Sequence, residues 1–554
     1  MCEIGNPQNI KYGTDINDFF QFLQNTRENY LLYFHNLKYD AQYILNWLFE
    51  NDYKFIKDKK ERKSKTFTTL ISDMGQFYSI EIYFDVKNKK HINKVTIYDS
   101  LKILNFSVEK IAKDFNLPIR KLNLDYERYR EEGYQLQKYE IDYIINDVKI
   151  MALALEIMFL ENLTKMTIGS NALSNYKELT PNFERIFPEL SQDLHKILKK
   201  SYRGGFTYLN PLYENKETGK LIVLDVNSLY PSVMVNDTLP YGTPIFYTGK
   251  YKEDLLYPLY IQTISCSFKI KEGKIPTIQI KNNIMFLANE YLESSNDEII
   301  TLTLTNVDLK LFFEHYDVYD LTFEYGFKFM CRKGMFEDYI NYWSDRKIQA
   351  KKEDNNAVYK IAKLMLNSLY GKFGTSVETR SKYPYYEDGQ VKYEMSDIEV
   401  RKGVYLPVAT FITSYARLKT ISTSQKIRDY TLKKYGVDYY IYSDTDSIHM
   451  LELPEEELKQ FVDIDDYRLG AWKLESKARR GKFIRQKCYI EEDYEGNINT
   501  AVAGLPKSLG KYITFENFER GFSVLASELE KTHKLRYMST KGGVVLVDTD
   551  FTIK

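Results

Sequence analysis

The chain has 554 residues, of which 44% are apolar and 28% charged, and its 77 basic and 77 acidic side chains give a formal net charge of zero. This length predicts three or four globular domains, and the neutral total excludes a protein that owes nucleic-acid binding to an overall basic charge. The four cysteines are far apart and form no CxxC pair, which excludes a zinc ribbon or a disulfide framework and fits a reducing cytoplasm.

The first 165 or so residues alternate strand-like and helix-like runs, a pattern typical of an α/β domain. The strand-like runs are "YLLYFHNL", "QFYSIEIYFDV" and "HINKVTIYDSL", and the main helical runs are "AQYILNWLFE" and "YEIDYIINDVKIMALALEIMFLENL". The apolar part of the second helical run is too short to span a bilayer, so it predicts a buried helix. The first residues, "MCEIGNPQNI", lack the basic flank and apolar core of a signal peptide.

A second block starts at "KSYRGGFTYL" and contains the run "KLIVLDVNSLYPSVM". Four apolar residues, 221–224, predict a buried strand that Asp225 ends, with a turn into a helix at Ser228–Pro231. A carboxylate at the mouth of a buried strand is typical of a functional site. A helix N-cap is the alternative interpretation.

The helical run "AVYKIAKLMLNSLYGKFG" predicts a face that carries cations, an amide and a phenol. This face holds Lys360, Lys363, Asn367 and Tyr370. The opposite side holds Ile361, Met365 and Leu369. Such a face suits a triphosphate with a base stacked beside it. Gly371 and Gly374 are expected to stop the helix.

The run "YSDTDSIHM" sets Asp444 and Asp446 one residue apart after a strand-like run. On a strand, residues i and i+2 point to the same face, so the two carboxylates would stand side by side and repel each other. A divalent cation between them would relieve that repulsion. A polar hairpin tip is the alternative, and a lone DxD also occurs in metal-dependent glycosyltransferases.

These runs together resemble family B DNA polymerases. "DVNSLYP", "KLMLNSLYG" and "YSDTDS" resemble the family's palm and fingers motifs, in the right order. "YRGG" resembles the link between exonuclease and polymerase domains, and "KCY" resembles the lysine-x-tyrosine motif that contacts the primer strand. The likeness is strongest to the protein-primed polymerases of small Bacillus phages. It implies an α/β multidomain fold, in which a ribonuclease-H-like 3′–5′ exonuclease domain precedes a right-hand polymerase of palm, fingers and thumb.

The resemblance also implies roles for individual residues in nucleotidyl transfer. Asp225 and Asp446 would bridge two Mg²⁺ ions, which Mn²⁺ can replace, and the carbonyl of Val226 would add a ligand. Asp444 would ligate transiently or act indirectly. The residues expected to bind the incoming nucleotide are Tyr230, Lys351, Lys363, Asn367 and Tyr370. The residues expected to bind the DNA are Tyr202, Arg203, Gly204, Gly205, Lys487 and Tyr489.

The N-terminal block resembles the family's exonuclease domain. "FHNLKYD" matches its second motif and "YIIND" its third, which makes Asp40 and Asp147 metal ligands. Residues expected near a single-stranded 3′ end are His35, Asn36, Tyr39, Ser100, Leu101, Lys121 and Tyr143. The first motif, a D-x-E on a strand before residue 30, is missing. We therefore expect little or no exonuclease activity from the chain as written, and we expect that an upstream in-frame extension encodes this motif.

The resemblance implies a division of the chain and a set of partners. The expected segments are an exonuclease-like domain (1–165), the link and start of the palm (166–236), a terminal-protein-binding insertion (237–338), fingers (339–374), a second insertion for strand displacement and processivity (375–407), palm (408–508) and thumb (509–554). The expected partners are primer–template DNA, deoxynucleoside triphosphates, a terminal protein and a single-stranded-DNA-binding protein, with no membrane. The expected location is the cytoplasm of an infected bacterium.

Three other functions compete with this interpretation. A reverse transcriptase would carry two adjacent aspartates after a tyrosine and would lack "KLMLNSLYG". An RNA-primed cellular-type family B enzyme would be longer, and the stretch between Asp225 and Lys363 has room for the insertion of the protein-primed branch. A catalytically decayed DNA-binding relative would not need Asp225, Asp444 and Asp446 intact.

Overall fold

A computed structural model describes the whole chain except residues 27, 87–91, 126–127, 132, 281–287, 506, 526–534 and 549. Within the described residues the fold is a multidomain α/β arrangement, as predicted. Its α-helices are Ile16–Asn25, Leu37–Glu50, Val108–Asp114, Lys138–Leu160, Ile168–Glu178, Phe183–Ile186, Gln192–Lys199, Leu229–Asn236, Asn306–His315, Glu337–Lys352, Asn356–Phe373, Leu406–Tyr435 and Glu455–Leu458.

The N-terminal region is built on a five-stranded mixed sheet. Its spatial order is Tyr30–Phe34, Ile92–Asp99, Phe77–Val86, Thr66–Ile71 and Lys54–Phe55. The two outer pairs are parallel and the inner pairs antiparallel. The helix Leu37–Glu50 buries its apolar residues against this sheet, because they recur at helical spacing. A small hairpin, Cys2–Glu3 with Asn6–Ile10, precedes it.

A five-stranded antiparallel sheet lies at the centre of the molecule. Its order is Trp472–Ala478, Leu221–Val226, Ser447–Leu451, Tyr440–Asp444 and Thr207–Leu209. The predicted buried strand is confirmed, since residues 221–224 are at most 4% exposed. The long helix Leu406–Tyr435 packs against this sheet and is buried along most of its length.

A separate four-stranded antiparallel sheet occupies most of the segment 237–338. Its order is Thr238–Thr248, Tyr316–Lys333, Leu259–Ile270 and Ile300–Thr305. The helix Asn306–His315 covers one side of it. Two short strands, Ile278–Gln279 and Tyr291–Leu292, pair beside it. Positions 281–287 of this predicted insertion lie outside the described residues.

The long helical run of 337–374 is two helices rather than one. Glu337–Lys352 and Asn356–Phe373 are separated by a turn in which Asp354 has a φ of +54°. The expectation that Gly371 stops the second helix is wrong, because the helix continues to Phe373 and Gly374 is its C-cap. A glycine inside a helix costs only about 1 kcal/mol relative to alanine, so Gly371 alone does not end the helix.

The remaining strands form small sheets. Glu378–Thr379 pairs with Glu399–Val400, and Lys382–Glu387 forms a hairpin with Gln390–Met395. The C-terminal region contains Arg480–Arg485, Cys488–Glu492 and Ile498–Val502, followed by Ser523–Val524 with Phe551–Thr552 and by Leu535–Thr540 with Gly543–Asp548. Positions 526–534 and 549 of the predicted thumb lie outside the described residues. In the described part of the chain, no helix has the length and apolarity needed to cross a bilayer.

Candidate active site

Three carboxylates meet at one edge of the central sheet. Asp225 pairs with Ser447 of the next strand, and Ser447 pairs with Asp444 of the strand after that. Asp446 directly precedes Ser447, and its carbonyl accepts a 2.8 Å hydrogen bond from the Val226 N–H. The sheet therefore brings together residues that are more than 200 positions apart in the chain.

Asp446 lies in a turn and not on a strand face beside Asp444, which corrects the geometry expected from the sequence. The strand ends at Asp444, and Thr445 and Asp446 form a two-residue hairpin turn. Thr445 has a φ of +61°, an unusual conformation for a β-branched residue. Its N–H donates to the Phe206 carbonyl at 2.7 Å, and its carbonyl accepts from the Thr420 hydroxyl at 2.8 Å. The surroundings thus hold the strained turn in place.

The carboxylates affect each other's protonation. Burial, and then the negative charges of Asp225 and Asp444, raise the pKa of Asp446 to about 6. Three hydroxyls hold the Asp444 carboxylate: Thr207 and Thr445 donate to its Oδ1 at 3.1 and 3.3 Å, and Tyr442 donates to its Oδ2 at 3.3 Å. Repulsion among acids that are fixed in this way is what a bound cation would relieve.

Lys473 is a neighbour of Asp225 that sequence analysis missed. It lies directly across from Asp225 on the strand Trp472–Ala478, and its Nζ is 3.1 Å from Asp225 Oδ1. The run "AWKLES" contains no signal for this position, because it depends on the register of two strands that are distant in sequence. The Asp225 carboxylate therefore has a cationic partner within the protein.

The three carboxylates are suitable ligands for a hard divalent cation, although their oxygens do not converge on a single point. Carboxylate oxygens are the ligands that Mg²⁺ prefers. Within the described ranges, no three His, Cys, Asp or Glu side chains are grouped closely enough to hold a metal ion. The residues fit Mg²⁺ by charge and by donor type, and binding would require the ion to draw the carboxylates together.

Two tyrosines close one side of the carboxylates. The rings of Tyr230 and Tyr370 are 4.2 Å apart between centroids and tilted by 37°. Burial is the main cause that raises the pKa of both phenols, and the negative charge of Asp446 adds to it. The helix Leu229–Asn236 supplies Tyr230 and the helix Asn356–Phe373 supplies Tyr370. Both rings therefore lie next to the predicted metal ligands.

The cationic face of the helix Asn356–Phe373 differs in part from the expectation. Lys363 and Asn367 are exposed, as a ligand-binding face requires. Lys360 instead pairs with Asp114 of the N-terminal region, with an Nζ–Oδ2 distance of 3.3 Å. Lys351 lies over the ring of Tyr467, 5.2 Å from its centroid.

Lys347, on the helix Glu337–Lys352, is a further cation that the sequence analysis missed. Burial, and then the charges of Lys363, Lys473 and Lys351, lower the pKa of Lys347. The Lys347 ammonium is thus within electrostatic range of three other lysines, one of which, Lys473, pairs with Asp225. A cluster of this kind suits a polyanion such as a triphosphate.

The YRGG segment, residues 202–205, packs against the turn that contains Thr445 and against the C-terminal end of the helix Asn356–Phe373. A side chain on Gly205 would come within 2.7 Å of Thr445, and one on Gly374 would meet the Tyr202 hydroxyl at 2.5 Å. Both glycines therefore permit close approach of backbone to a neighbouring motif. Arg203 differs from the expected DNA contact, because its guanidinium is buried and donates to the Thr303 carbonyl at 3.2 Å.

A buried arginine that the sequence analysis missed holds the YRGG segment in place through hydrogen bonds to its backbone. Arg417, on the helix Leu406–Tyr435, donates to the carbonyls of Arg203 and Gly204 at 2.9 and 2.7 Å. Its guanidinium also pairs with Asp308 in a bidentate contact of 3.1 and 2.7 Å. The bond energy of such a pair is large enough to hold the loop in one conformation.

The KCY segment is joined to the same turn by hydrogen bonds. Lys487 is in a left-handed turn with a φ of +57°, and its N–H donates to the Tyr442 hydroxyl at 2.9 Å. The same hydroxyl donates to Asp444. The Lys487 ammonium is 60% exposed and 3.8 Å from Asp444 Oδ1. Tyr489 stacks on Phe483, with ring centroids 5.3 Å apart.

The N-terminal region brings Asp40 and Asp147 to its own site. Burial, and then the charge of Asp99, raise the pKa of Asp40 to about 6. The Asp147 carboxylate pairs with the Lys121 ammonium, which also donates to the Tyr143 hydroxyl at 2.8 Å. The predicted association of Lys121 and Tyr143 with Asp147 is thus present, but the Asp147 charge is already matched by a cation.

The other residues predicted here lie around the buried carboxylate of Asp99. Asp99 Oδ1 accepts from the N–H groups of Asn36 and Leu101, each at 3.0 Å. His35 Nδ1 is 3.1 Å from the Ser100 hydroxyl, and its Nε2 donates to the Phe106 carbonyl at 2.7 Å. The Tyr39 hydroxyl is 3.5 Å from that of Tyr43. Asp99 caps a short helical turn, so its hydrogen bonds are structural.

Comparison with known proteins agrees with these motifs. The family described as "DNA polymerase type B, organellar and viral" matches residues 24–462. The chain is 43% identical to the DNA polymerase of Bacillus phage M2, over 100% of this chain and 95% of that protein. It is 42% identical to the DNA polymerase of Bacillus phage phi29, over 98% and 93%, and 33% identical to that of Streptococcus phage Cp-1, over the same shares.

A solved structure of phi29 DNA polymerase complexed with primer–template DNA and incoming nucleotide substrates has the same fold. It superposes with a TM-score of 0.90 at 41% identity, covering 100% of this chain and 96% of that one. A second phi29 polymerase structure, complexed with single-stranded DNA, gives a TM-score of 0.88 at 40% identity. The chain therefore belongs to the organellar and viral type B DNA polymerase family and is a DNA-directed DNA polymerase.

Proposed function

We propose that this polymerase replicates a phage genome by two-metal nucleotidyl transfer in the cytoplasm of its bacterial host. The observation that carries the proposal is that strand pairing brings Asp225, Asp444 and Asp446 to one edge of the central sheet. Phosphoryl transfer requires in-line positioning and neutralisation of charge, and acids beside clustered lysines supply both.

In this proposal Asp225 and Asp446 hold the metal ions, with the Val226 carbonyl as a further ligand and Asp444 in a supporting role. Two Mg²⁺ ions, which Mn²⁺ can replace, activate the attacking hydroxyl and neutralise the leaving pyrophosphate when bound. Lys487 and Tyr489 hold the primer end against the carboxylates. Support for this comes from the hydrogen bonds that link the Lys487 backbone, the Tyr442 hydroxyl and Asp444.

The fingers cations bind the triphosphate in this proposal. Lys363 and Lys351 were expected in this role from the sequence, and Lys347 joins them because its ammonium is within the same positive cluster. Tyr230 lies under the sugar and disfavours a 2′-hydroxyl. Asn367 and Tyr370 line the nascent base pair, and Tyr202, Gly204 and Gly205 place the template beside them.

Replacement of the proposed metal ligands tests the mechanism. Asp225→Asn and Asp446→Asn should each lower nucleotide addition by at least about a hundredfold, because the carboxylates act on charge in the transition state. Primer–template affinity, measured by gel shift, should stay close to that of the parent. Asp466→Asn, at an exposed aspartate, is the control and should leave extension unchanged. Extension by either variant at more than a few per cent of the parent rate would refute the assignment.

We also propose that replication starts on a protein. The sheet of 238–333 forms an insertion between the strand of Asp225 and the fingers, where the protein-primed branch is expected to dock its terminal protein. A two-metal site accepts a serine, threonine or tyrosine hydroxyl as readily as a DNA 3′-hydroxyl if the nucleophile is placed in line. The pure polymerase, its terminal protein and Mg²⁺ should give a covalent protein–nucleotide adduct on a gel. Normal DNA-primed extension without that adduct would contradict protein priming but not the proposed mechanism of nucleotide addition.

A hairpin between fingers and palm supports processive, strand-displacing synthesis. Lys382–Glu387 and Gln390–Met395 pack on the helix Leu37–Glu50, where Tyr393 donates to Gln42 at 3.0 Å and Tyr386 to Glu50 at 2.9 Å. A hairpin held between domains is suited to separating strands ahead of the site. Extension of a primer round a closed circular template should therefore pass one full turn without a helicase. A single-stranded-DNA-binding protein would act on the displaced strand.

A further inference from the structure

Lys473 pairs with Asp225, one of the two proposed metal ligands. It lies across from Asp225 in the central sheet, with an Nζ–Oδ1 distance of 3.1 Å. The side chains are 31% and 19% exposed, so the pair is only partly screened by water. Glu475 Oε1 lies 3.9 Å from the same Nζ.

The Lys473 ammonium stands between an acidic and a basic group of side chains. On the acidic side, Asp225 Oδ1 and Glu475 Oε1 lie 3.1 and 3.9 Å from its Nζ. On the other side, Lys473 is one of the three lysines whose charge lowers the pKa of Lys347 in the fingers. Because the four-carbon side chain of lysine is flexible, its ammonium can leave Asp225 without any movement of the strand.

We propose that Lys473 is a resident counter-ion of the metal site, which neutralises Asp225 until a divalent cation displaces its ammonium. This inference rests on the proposed function, since it takes Asp225 to be a metal ligand. It makes Lys473 a positioning residue that tunes metal affinity, and it follows from strand register rather than from any motif.

The physical reason is competition for one carboxylate. An ammonium at 3.1 Å occupies the space from which a cation would approach Asp225 Oδ1, and it repels a doubly charged ion strongly at that range. Displacement leaves the Lys473 ammonium without its carboxylate partner while the Lys347 charge still acts on it, which is unfavourable unless a polyanion neutralises both. The site should therefore bind a free metal ion weakly and a metal ion that arrives with a triphosphate more readily.

Titration of the nucleotide-free protein with Mn²⁺ tests directly whether the Lys473 ammonium competes with the metal ion. Free Mn²⁺ is counted by electron paramagnetic resonance during titration of the parent and of Lys473→Met, which keeps the length of the side chain but removes its charge. We expect Lys473→Met to bind Mn²⁺ about three- to tenfold more tightly than the parent. Lys473→Arg keeps the charge and should remain within about twofold of the parent.

The chain offers a matched control on the same strand. Lys477 pairs with Glu452 at 3.2 Å, so Lys477→Met removes an equivalent ion pair away from the carboxylates and should leave Mn²⁺ affinity unchanged. Equal affinities in Lys473→Met, Lys477→Met and the parent would overturn the inference. Asp225→Asn distinguishes a failure of the counter-ion role of Lys473 from a failure of the metal-ligand role of Asp225. If this variant binds Mn²⁺ as tightly as the parent, Asp225 is not a metal ligand. Circular dichroism of each variant shows whether the fold is retained.

Discussion

At the scale of single residues, the site combines strained backbone with repelling charge. Ser228, Thr445 and Lys487 are non-glycine residues with φ values of +52°, +61° and +57°. Lys487 is itself a predicted site residue, and the other two lie within two positions of one. Positions of this kind cost about 1–3 kcal/mol and persist only where neighbours enforce them. The carboxylate of Asp446 adds an electrostatic cost, since it is half-buried and the negative charge of Asp225 acts on it.

The electrostatic cost of the Asp446 carboxylate predicts how the stability of the metal-free protein depends on pH. The pKa of Asp446 is raised to about 6 by burial and by Asp225, against about 4 in an unfolded chain. The folded protein therefore binds more protons between these values, and the free energy of unfolding falls as pH rises through this window. With EDTA at pH 7.5, Asp446→Asn should raise the unfolding temperature, by a gain on the order of 1 kcal/mol.

The gain should shrink at pH 5, where Asp446 itself becomes neutral. Asp466→Asn, at an exposed position, is the control and should change the unfolding temperature at neither pH. An Asp446→Asn variant less stable than the parent at both pH values would show that its carboxylate is stabilised by contacts and not penalised. Differential scanning fluorimetry in matched buffers is sufficient for the comparison.

At the scale of elements, one helix divides its lysines between two tasks. Asn356–Phe373 buries Ile361, Met365 and Leu369 in the core, as the helical period predicted. Of the lysines on its polar side, Lys363 is exposed next to the other fingers cations, while Lys360 is half-buried and pairs with Asp114. Side chains three positions apart lie on the same face but almost a full turn apart along the axis, so each can reach a different partner.

This division predicts different kinetics for two neighbouring substitutions. Lys363→Ala should raise the KM for the incoming nucleotide by about tenfold or more, because a charge-assisted contact with phosphate is lost. Lys360→Ala is the matched control on the same helix, and its KM should stay within about twofold of the parent, because a partly exposed ion pair is worth little. Steady-state primer extension measures both. Equal effects of the two variants would contradict a special role for Lys363.

At the scale of the whole molecule, different regions of the chain share a hydrophobic core and contact one another directly. One buried core runs from Ile103 and the helix Lys138–Leu160 through the fingers to Trp472 in the central sheet. The N-terminal sheet has its own core, which takes in Val391 from the hairpin. The Tyr43 hydroxyl of the N-terminal region donates to the Val544 carbonyl of the C-terminal hairpin at 2.9 Å. The N-terminal region is therefore integral to the polymerase, whatever its own chemistry.

That region should be structurally retained but weak in exonuclease activity in the chain as written. Lys121 neutralises Asp147, the pKa of Asp40 is raised to about 6, and the described residues provide no third ligand for a metal ion. Mg²⁺ requires more negative charge than this before it gives up its water. A 5′-labelled single strand should remain intact under conditions in which the same preparation completes primer extension.

A proofreading polymerase run in parallel confirms that the strand is degradable. Shortening of the strand by this protein, abolished by Asp147→Ala, would contradict the prediction. Asp147→Ala should otherwise leave extension unaffected, since the Asp147 carboxylate contacts Lys121 and not the central sheet.

The sequence by itself determined the features that depend on local order. The apolar run 221–224 predicted a buried strand ending in a carboxylate, and the helical period predicted which face of Asn356–Phe373 enters the core. Motifs in a fixed order predicted the family, because each motif carries its chemistry in adjacent residues. The segment boundaries and individual residue roles remain predictions.

Only the tertiary structure decided which distant side chains meet. Lys473 is beside Asp225 because two strands some 250 positions apart pair in one register, and a slip of one residue would turn Lys473 to the opposite face. Asp446 is in a turn because Thr445 accepts a left-handed conformation that Phe206 and Thr420 stabilise. Register and turn geometry arise from packing between elements, and sequence spacing records only the order within each element.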